Sequence, residues 1–215
     1  MRIMSRRLPV YILIDTSGSM KGEPIESVKV GLSDMIATLR LDPYALETAC
    51  VSIITYDKDV KQILPLTELA NLQMPDIVCP DSGPTHTGAA LNMLCSCYDR
   101  EVNKGTNEQK GDWMPLLFLL TDGKPSDLMV YEEAVTNVKR HPFTNIVACA
   151  AGPKAKTEPL KKLTDKVFSL DTMDSSTFKK FFEWVTLNVQ QGGRTMGATD
   201  NIELPPTPSV INIEP

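Results

Sequence analysis

Three short stretches of this 215-residue chain carry oxygen-bearing side chains in a pattern suited to a hard cation. They are Asp15-Thr16-Ser17-Gly18-Ser19-Met20, Pro84-Thr85-His86-Thr87-Gly88 and Thr121-Asp122-Gly123. The first and third directly follow the apolar runs at residues 10–14 and 116–120. In open α/β sheets, ligands bind beyond the carboxyl ends of parallel strands, where the strand order reverses. If these runs are neighbouring strands at such a reversal, Asp15 and Asp122 face one crevice. Two carboxylates and several hydroxyls, with no Cys or His among them, make an all-oxygen set that suits Mg2+ and similar ions. Two carboxylates balance the charge of a divalent ion, and hydroxyls add none. An ion held this way stays electrophilic enough to accept one further carboxylate from outside the chain, an appetite that a third acidic ligand would remove.

Bringing such stretches together requires strands that end side by side, and short apolar runs alternate with helical patterns along the chain. Residues 10–14 lack polar alternation and read as a strand buried on both faces. Val28, Leu32, Met35, Ile36 and Leu39 then recur at the three-and-four spacing of one helix face. Residues 50–56 and 60–66, joined by Asp57-Lys58-Asp59, predict a hairpin whose second strand lies antiparallel at a sheet edge, where Pro65 is tolerated. After a loop at 75–84 comes a helix with Leu91, Leu94, Cys95 and Tyr98 inward. The strand at 116–120 leads to a helix capped by Ser126, with Leu128, Tyr131, Val135 and Val138 facing the core. Strands at 146–151 and 167–170 flank a short helix carrying Leu160 and Leu163. The last helix opens at Asp174 or Ser175 and carries Phe178, Phe181, Phe182, Val185 and Val189. This order predicts an α/β fold: a doubly wound, mostly parallel six-stranded sheet with one antiparallel edge strand and helices on both faces. Past Gln191 the pattern stops at Gly192-Gly193 and then Pro205-Pro206-Thr207-Pro208. Residues 1–190 therefore read as one domain and 191–215 as a tail or linker, whose Val210-Ile211-Asn212-Ile213 can add a strand to this or another sheet.

Composition narrows the function further. Lys and Arg number 22 against 27 Asp and Glu, a net charge of -5 with no clustered cations, so no nucleic-acid partner is expected. No stretch reaches the ~20 apolar residues of a membrane span, so no membrane insertion is expected either. Arg6, Arg7 and the run at 10–14 imitate the start of a secretory signal, but Asp15 interrupts it. Of the five cysteines only Cys95 and Cys97 lie close together, at a spacing that fits neither redox pairs nor zinc knuckles. The thiols read as reduced, in keeping with a cytoplasmic location.

The string Asp15-Thr16-Ser17-Gly18-Ser19-Met20-Lys21-Gly22, followed in order by Thr85 and Asp122-Gly123, resembles the von Willebrand factor A (VWA) domain family. The likeness runs over about residues 8–189. It implies a Rossmann-like sheet of order 3-2-1-4-5-6 and a metal-ion-dependent adhesion site. By that resemblance Ser17, Ser19 and Thr85 ligate the cation through hydroxyls, while Asp15 and Asp122 act directly or through water. The implied cation is Mg2+, with Mn2+ as a substitute. Where the family often shows Gly-Gly-Thr, this chain has Gly83-Pro84-Thr85, which keeps the Thr on a stiffer loop. The opening Arg-Arg-Leu-Pro-Val-Tyr-Ile-Leu-Ile-Asp, residues 6–15, is similar to that of compact bacterial proteins of the tellurium-resistance group. That likeness implies a cytoplasmic scaffold in tellurium-resistance or stress signalling, encoded beside a protein kinase and a PP2C-type phosphatase. The partner it implies is a protein supplying an Asp or Glu carboxylate.

Each residue also has a plainer role available. Ser17 and Ser19 suit the cap of the next helix; Thr85 can cap the one after, leaving Thr87 as the ligand; Asp122 can simply turn the chain before Gly123. His86, Met20, Met35, Trp113 and Trp184 read as loop and packing residues. The rival function is a Mg2+-dependent phosphohydrolase using Asp15 as nucleophile. Haloacid-dehalogenase-type phosphatases place a second Asp two residues later as acid/base, a position held here by Ser17, which does not protonate a leaving group near neutral pH. Neither a Gly-x-Ser-x-Gly elbow nor a phosphate-cradling Gly-x-x-x-x-Gly-Lys loop occurs. The sequence thus predicts a non-catalytic module that presents Mg2+ to a carboxylate of a partner protein.

Overall fold

Strands made wholly of apolar residues are stable only inside a sheet covered on both sides. In the computed structural model, which describes residues 6–81, 83–106, 110–195 and 203–214, three strands meet that condition completely. They are β1 (Leu8–Asp15), β2 (Ala49–Tyr56) and β4 (Leu116–Thr121), buried at every position. With β3 (Val60–Glu68), β5 (Asn145–Ala151), β6 (Val167–Leu170) and β7 (Ile211–Ile213) they form one sheet in the order β3-β2-β1-β4-β5-β6-β7. The chain steps outward from β1 to β3 and then crosses to β4 on the other side of β1, which makes the β1–β4 junction the reversal point. Strands β2, β1, β4, β5 and β6 run parallel, and β3 pairs antiparallel at one edge, as the hairpin reading requires.

The alternation of side chains along β1 feeds two cores. Leu8, Val10, Ile12 and Ile14 pack with Val28, Leu32, Met35 and Leu39 of α1 (Glu23–Leu41) and with Phe178, Phe182 and Val185 of α6 (Ser175–Thr195). Tyr11 and Leu13 face the other way, toward Leu91 and Leu94 of α3 (Thr87–Glu101) and Tyr131 and Ala134 of α4 (Leu128–Lys139). Two short helices, α2 (Pro43–Thr48) and α5 (Glu158–Lys161), complete the set. No helix of the described residues is long and apolar enough to cross a membrane.

The structure departs from the sequence reading at five places. The sheet has seven strands, not six, because Ile211–Ile213 pairs antiparallel with β6 of this same sheet. The approach to it is tied down by the indole of Trp184, whose Nε1 donates to Pro205 O at 3.0 Å. Residues 196–202 and 215 of the expected tail lie outside the described residues. Helix α6 runs on through Gly192-Gly193, its last turn fixed by Arg194, which pairs with the buried Asp42 at 2.6 Å. Ser126 does not cap α4; its hydroxyl accepts the N–H of Thr85 at 3.1 Å instead. Leu128, expected inward, is exposed, and α4 begins its buried face at Tyr131. On α3 the inward thiol is Cys97, with Cys95 half-buried beside it.

Helices α3 and α4 converge at their first turns. The Asp127 carboxylate accepts from the N–H groups of Gly88 at 3.1 Å and Ala89 at 2.9 Å, satisfying free donors at the start of α3 from the neighbouring helix. A Cβ at Gly88 would lie 2.4 Å from Tyr131 N, a backbone atom that cannot give way. Gly88→Ala should therefore cost about 1–3 kcal/mol of stability by overpacking. A lower urea midpoint with unchanged slope is expected; a midpoint equal to wild type would show that the two helices can separate freely.

Candidate metal centre

The β1–β4 register pairs Ile14 with Leu120, so the next residues, Asp15 and Thr121, stand side by side on the face toward α3 and α4. Thr121 Oγ1 donates to Asp15 Oδ2 at 2.7 Å, and Ser17 N donates to Asp15 Oδ1 at 2.8 Å. One residue further on, Asp122 Oδ1 accepts from Ser17 Oγ at 3.5 Å, and Ser17 Oγ lies 3.3 Å from Ser19 Oγ. Asp15, Ser17 and Asp122 are buried, whereas Ser19 faces solvent. A single 3-10 turn, Gly18–Met20, carries Ser19 and is anchored by the buried Met20. Gly22 then takes φ +91°, a left-handed value that glycine adopts without strain, and Pro24 occupies the first turn of α1. Neither Ser17 nor Ser19 caps a helix through its side chain, so that plainer role is not the one realised.

Thr85 reaches the cluster from the third loop. Ser126 N donates to Thr85 O at 2.8 Å while Thr85 N donates to Ser126 Oγ, which zips this loop to the chain just after Asp122. A Cβ on Gly123 would lie 3.5 Å from Thr85 Oγ1, so the hydroxyl sits against the residue following Asp122. Thr85 does not cap α3, whose first turn takes its side-chain acceptor from Asp127. Thr87, the alternative ligand, has its hydroxyl buried without a hydrogen-bond partner. The five oxygen-bearing residues singled out from the sequence, Asp15, Ser17, Ser19, Thr85 and Asp122, thus come from three loops that converge above β1 and β4.

Several positioning residues were not legible beforehand. Thr16 Oγ1 donates to Asp57 Oδ2 at 2.8 Å, and His86 N donates to Asp57 O at 3.1 Å, so the hairpin tip holds the first and second loops together. His86 Nδ1 lies 3.0 Å from Lys58 O at the same tip. Thr121 and Asp127 do the equivalent work from β4 and α4. The signal for Thr121 was its parity with Asp15, readable only once the strand register is known; Asp57 offered only a turn-like sequence.

The electrostatics follow from burial. Among the described residues no Lys, Arg or His forms a salt bridge with Asp15 or Asp122. Desolvation pushes the Asp15 carboxyl up to about 6; the hydrogen bonds from Thr121 and Ser17 oppose this, and the nearby Asp122 charge adds to it. A buried carboxylate pair without a compensating cation is costly. The donor set, two carboxylates and three hydroxyls with spare lone pairs, fits a hard divalent ion. Among the described residues no group of three or more His, Cys, Asp or Glu placed to hold a metal ion occurs, so a cation here depends on the hydroxyls to complete its shell.

Comparison with known proteins bears on the family and the fold. The model of the von Willebrand factor type A domain matches residues 10–184. Matrilin-3 of Gallus gallus is 31% identical over 128 residues, covering 57% of this chain and 27% of that protein. Matrilin-1 of Bos taurus is 28% identical over 127 residues, covering 57% of this chain and 23% of that protein. The chain therefore spans about a quarter of the length of these curated relatives. Among solved structures, proximal thread matrix protein 1 from the mussel byssus, with zinc in its MIDAS motif, superposes with a TM-score of 0.64 at 16% identity, covering 86% of this chain and 48% of that one. A von Willebrand factor type A protein from Catenulispora acidiphila gives 0.59 at 16% identity, covering 87% and 43%. At these identities the structural likeness concerns the fold.

Because the Asp15 pKa is raised from 3.8 to about 6, the folded metal-free chain keeps a proton that the unfolded chain has released between those values. Stability should therefore fall as pH rises through this window, with the full deficit, about 3 kcal/mol, present above it. Urea titrations in chelator should show Asp15→Asn gaining stability over wild type as pH rises from about 4 to about 7. A wild type that gains relative to the variant over that range would contradict the electrostatic account.

Proposed function

The chain belongs to the von Willebrand factor type A domain family, and on that premise we propose that it is a non-catalytic protein-binding module whose Asp15, Ser17, Ser19, Thr85 and Asp122 hold Mg2+, or Mn2+ in its place. When bound, the cation supplies an electrophilic point that accepts a carboxylate oxygen from an Asp or Glu of a partner protein. The observation that carries this reading is the pair of buried carboxylates, Asp15 and Asp122, linked through Ser17 and without a protein cation beside them. Thr121 Oγ1 and Ser17 N each engage one oxygen of Asp15, fixing its plane while leaving a lone pair on each. Ser19, at the solvent edge, marks the side from which a partner approaches. The zinc in the MIDAS motif of the mussel protein supports a divalent ion at the matching place.

The finer placement rests on the opening of the chain, residues 6–15, which resembles that of TerY of the tellurium-resistance group. On this reading the chain is a cytoplasmic scaffold of tellurium-resistance or stress signalling in bacteria, and its partners are a protein kinase and a PP2C-type phosphatase. The boundary expected at residue 190 moves outward, since α6 runs to Thr195 and β7 belongs to the sheet of the binding domain. The rival, a Mg2+-dependent phosphohydrolase with Asp15 as nucleophile, is less favoured because Ser17 stands where an acid/base is needed.

Asp122→Ala should abolish Mg2+ and Mn2+ binding in titration calorimetry while the metal-free chain still unfolds cooperatively. Unchanged affinity in that variant would refute the ligand assignment. Purified protein should also leave phosphate esters unhydrolysed above background. Turnover that disappears in Asp15→Asn would instead establish the phosphohydrolase.

A further inference from the structure

The surface beside the carboxylate cluster changes character within a few residues. After Asp122 and Gly123 comes Lys124, and Gly123 O accepts from Lys156 N at 3.4 Å, which draws the loop at 152–157 against the β4–α4 connection. Lys124, Lys154 and Lys156 are exposed, and among the described residues none of them forms a salt bridge. A chain of net charge -5 thus gathers three uncompensated cations at the rim of its most acidic buried site. On the same connection α4 opens with Leu128, Met129 and Val130, which are 55%, 84% and 40% exposed. These side chains are not needed for the core, which Tyr131, Ala134 and Val138 fill. The paired hydrogen bonds between Ser126 and the Thr85 backbone tie the start of this connection, two residues before Leu128, to the loop that carries Thr85.

We propose that this rim reads the residues flanking the partner's metal-bound carboxylate, and that the segment it fits is an acidic one bearing a large apolar side chain. The inference rests on the metal–carboxylate reading above and adds the recognition elements beside it. The apolar side chain packs on Leu128 and Met129, and further Asp or Glu residues lie over Lys124, Lys154 and Lys156. Apolar contact at the centre with charges at the rim is the usual division of labour at an interface, the rim governing encounter rate and partner choice. A segment with Lys or Arg flanks meets like charge and is rejected. The lysines act within a Debye length of about 8 Å at physiological salt, so the preference weakens as ionic strength rises.

The test uses short random peptides displayed on phage, captured on the full chain in Mg2+ and released with chelator. Released peptides are expected to combine an acidic residue, a large apolar neighbour and a net negative flank. Synthetic versions should bind the triple variant Lys124→Gln, Lys154→Gln, Lys156→Gln roughly tenfold more weakly at low salt. They should bind Leu128→Ser, Met129→Ser more weakly at every salt concentration. Both variants should keep wild-type circular dichroism, since the changed side chains are exposed, and neither should lose Mg2+ affinity, because removing positive charge beside the site does not disfavour a cation. Released peptides that share an acidic residue but carry flanks of random composition, and that bind the lysine variant as tightly as wild type, overturn the inference and leave the metal–carboxylate reading standing. Release of no acidic peptide by chelator removes that reading and this inference with it.

Discussion

Two carboxylates are buried side by side at the ends of adjacent strands, with hydroxyls and backbone N–H groups for company. That arrangement is expensive for a protein that folds alone, and the rise of the Asp15 pKa to about 6 is the sign of it. The rest of the architecture is what makes the arrangement possible. Apolar strands β1 and β4 must be neighbours for Asp15 and Asp122 to share one crevice, and the outward winding of β1, β2 and β3 before the crossover makes them so. Parallel pairing in register then sets Asp15 beside Thr121 and leaves Asp122 one step beyond, where Ser17 reaches it.

The loops that carry the site are braced by hydrogen bonds within the chain. The hairpin tip at Asp57 ties Thr16 to His86; Ser126 zips the Thr85 loop to the β4–α4 connection; Asp127 satisfies the start of α3. Such bracing keeps the cluster's geometry fixed before a ligand arrives, which lowers the ordering cost of binding. It also accounts for Gly88, where the backbones of α3 and α4 approach too closely for a side chain. Pro84 stiffens the loop on the other side of Thr85. On the proposed reading, this cluster of hard oxygen donors, braced by its three loops and open at Ser19, serves as a recognition device.

Much of this was legible in the sequence because the relevant patterns are local. The unbroken apolar run at 10–14, the hairpin around Asp57-Lys58-Asp59 and the order of the three motifs locate the sheet and the site. What was missed depends on contacts between distant residues. Ser126 looks like a helix cap because nothing local reveals that Thr85, earlier in the chain, offers it a better donor. Gly192-Gly193 looks like a helix end because the Arg194–Asp42 pair that holds the last turn is tertiary. Leu128 matches a helical stripe, but the core begins one turn later, at Tyr131. The three-residue strand β7 is too short for its pattern to choose between this sheet and another; packing of Ile211 and the anchoring of Pro205 by Trp184 decide it.

The most direct measurement is a crystal structure of the full chain grown in Mn2+, read from the anomalous signal of the metal. The account predicts one strong peak enclosed by Asp15, Ser17, Ser19, Thr85 and Asp122, with oxygen distances of about 2.0–2.2 Å. Absence of a peak there with Mn2+ bound elsewhere, or Asp15 and Asp122 turned away from one another, would contradict it.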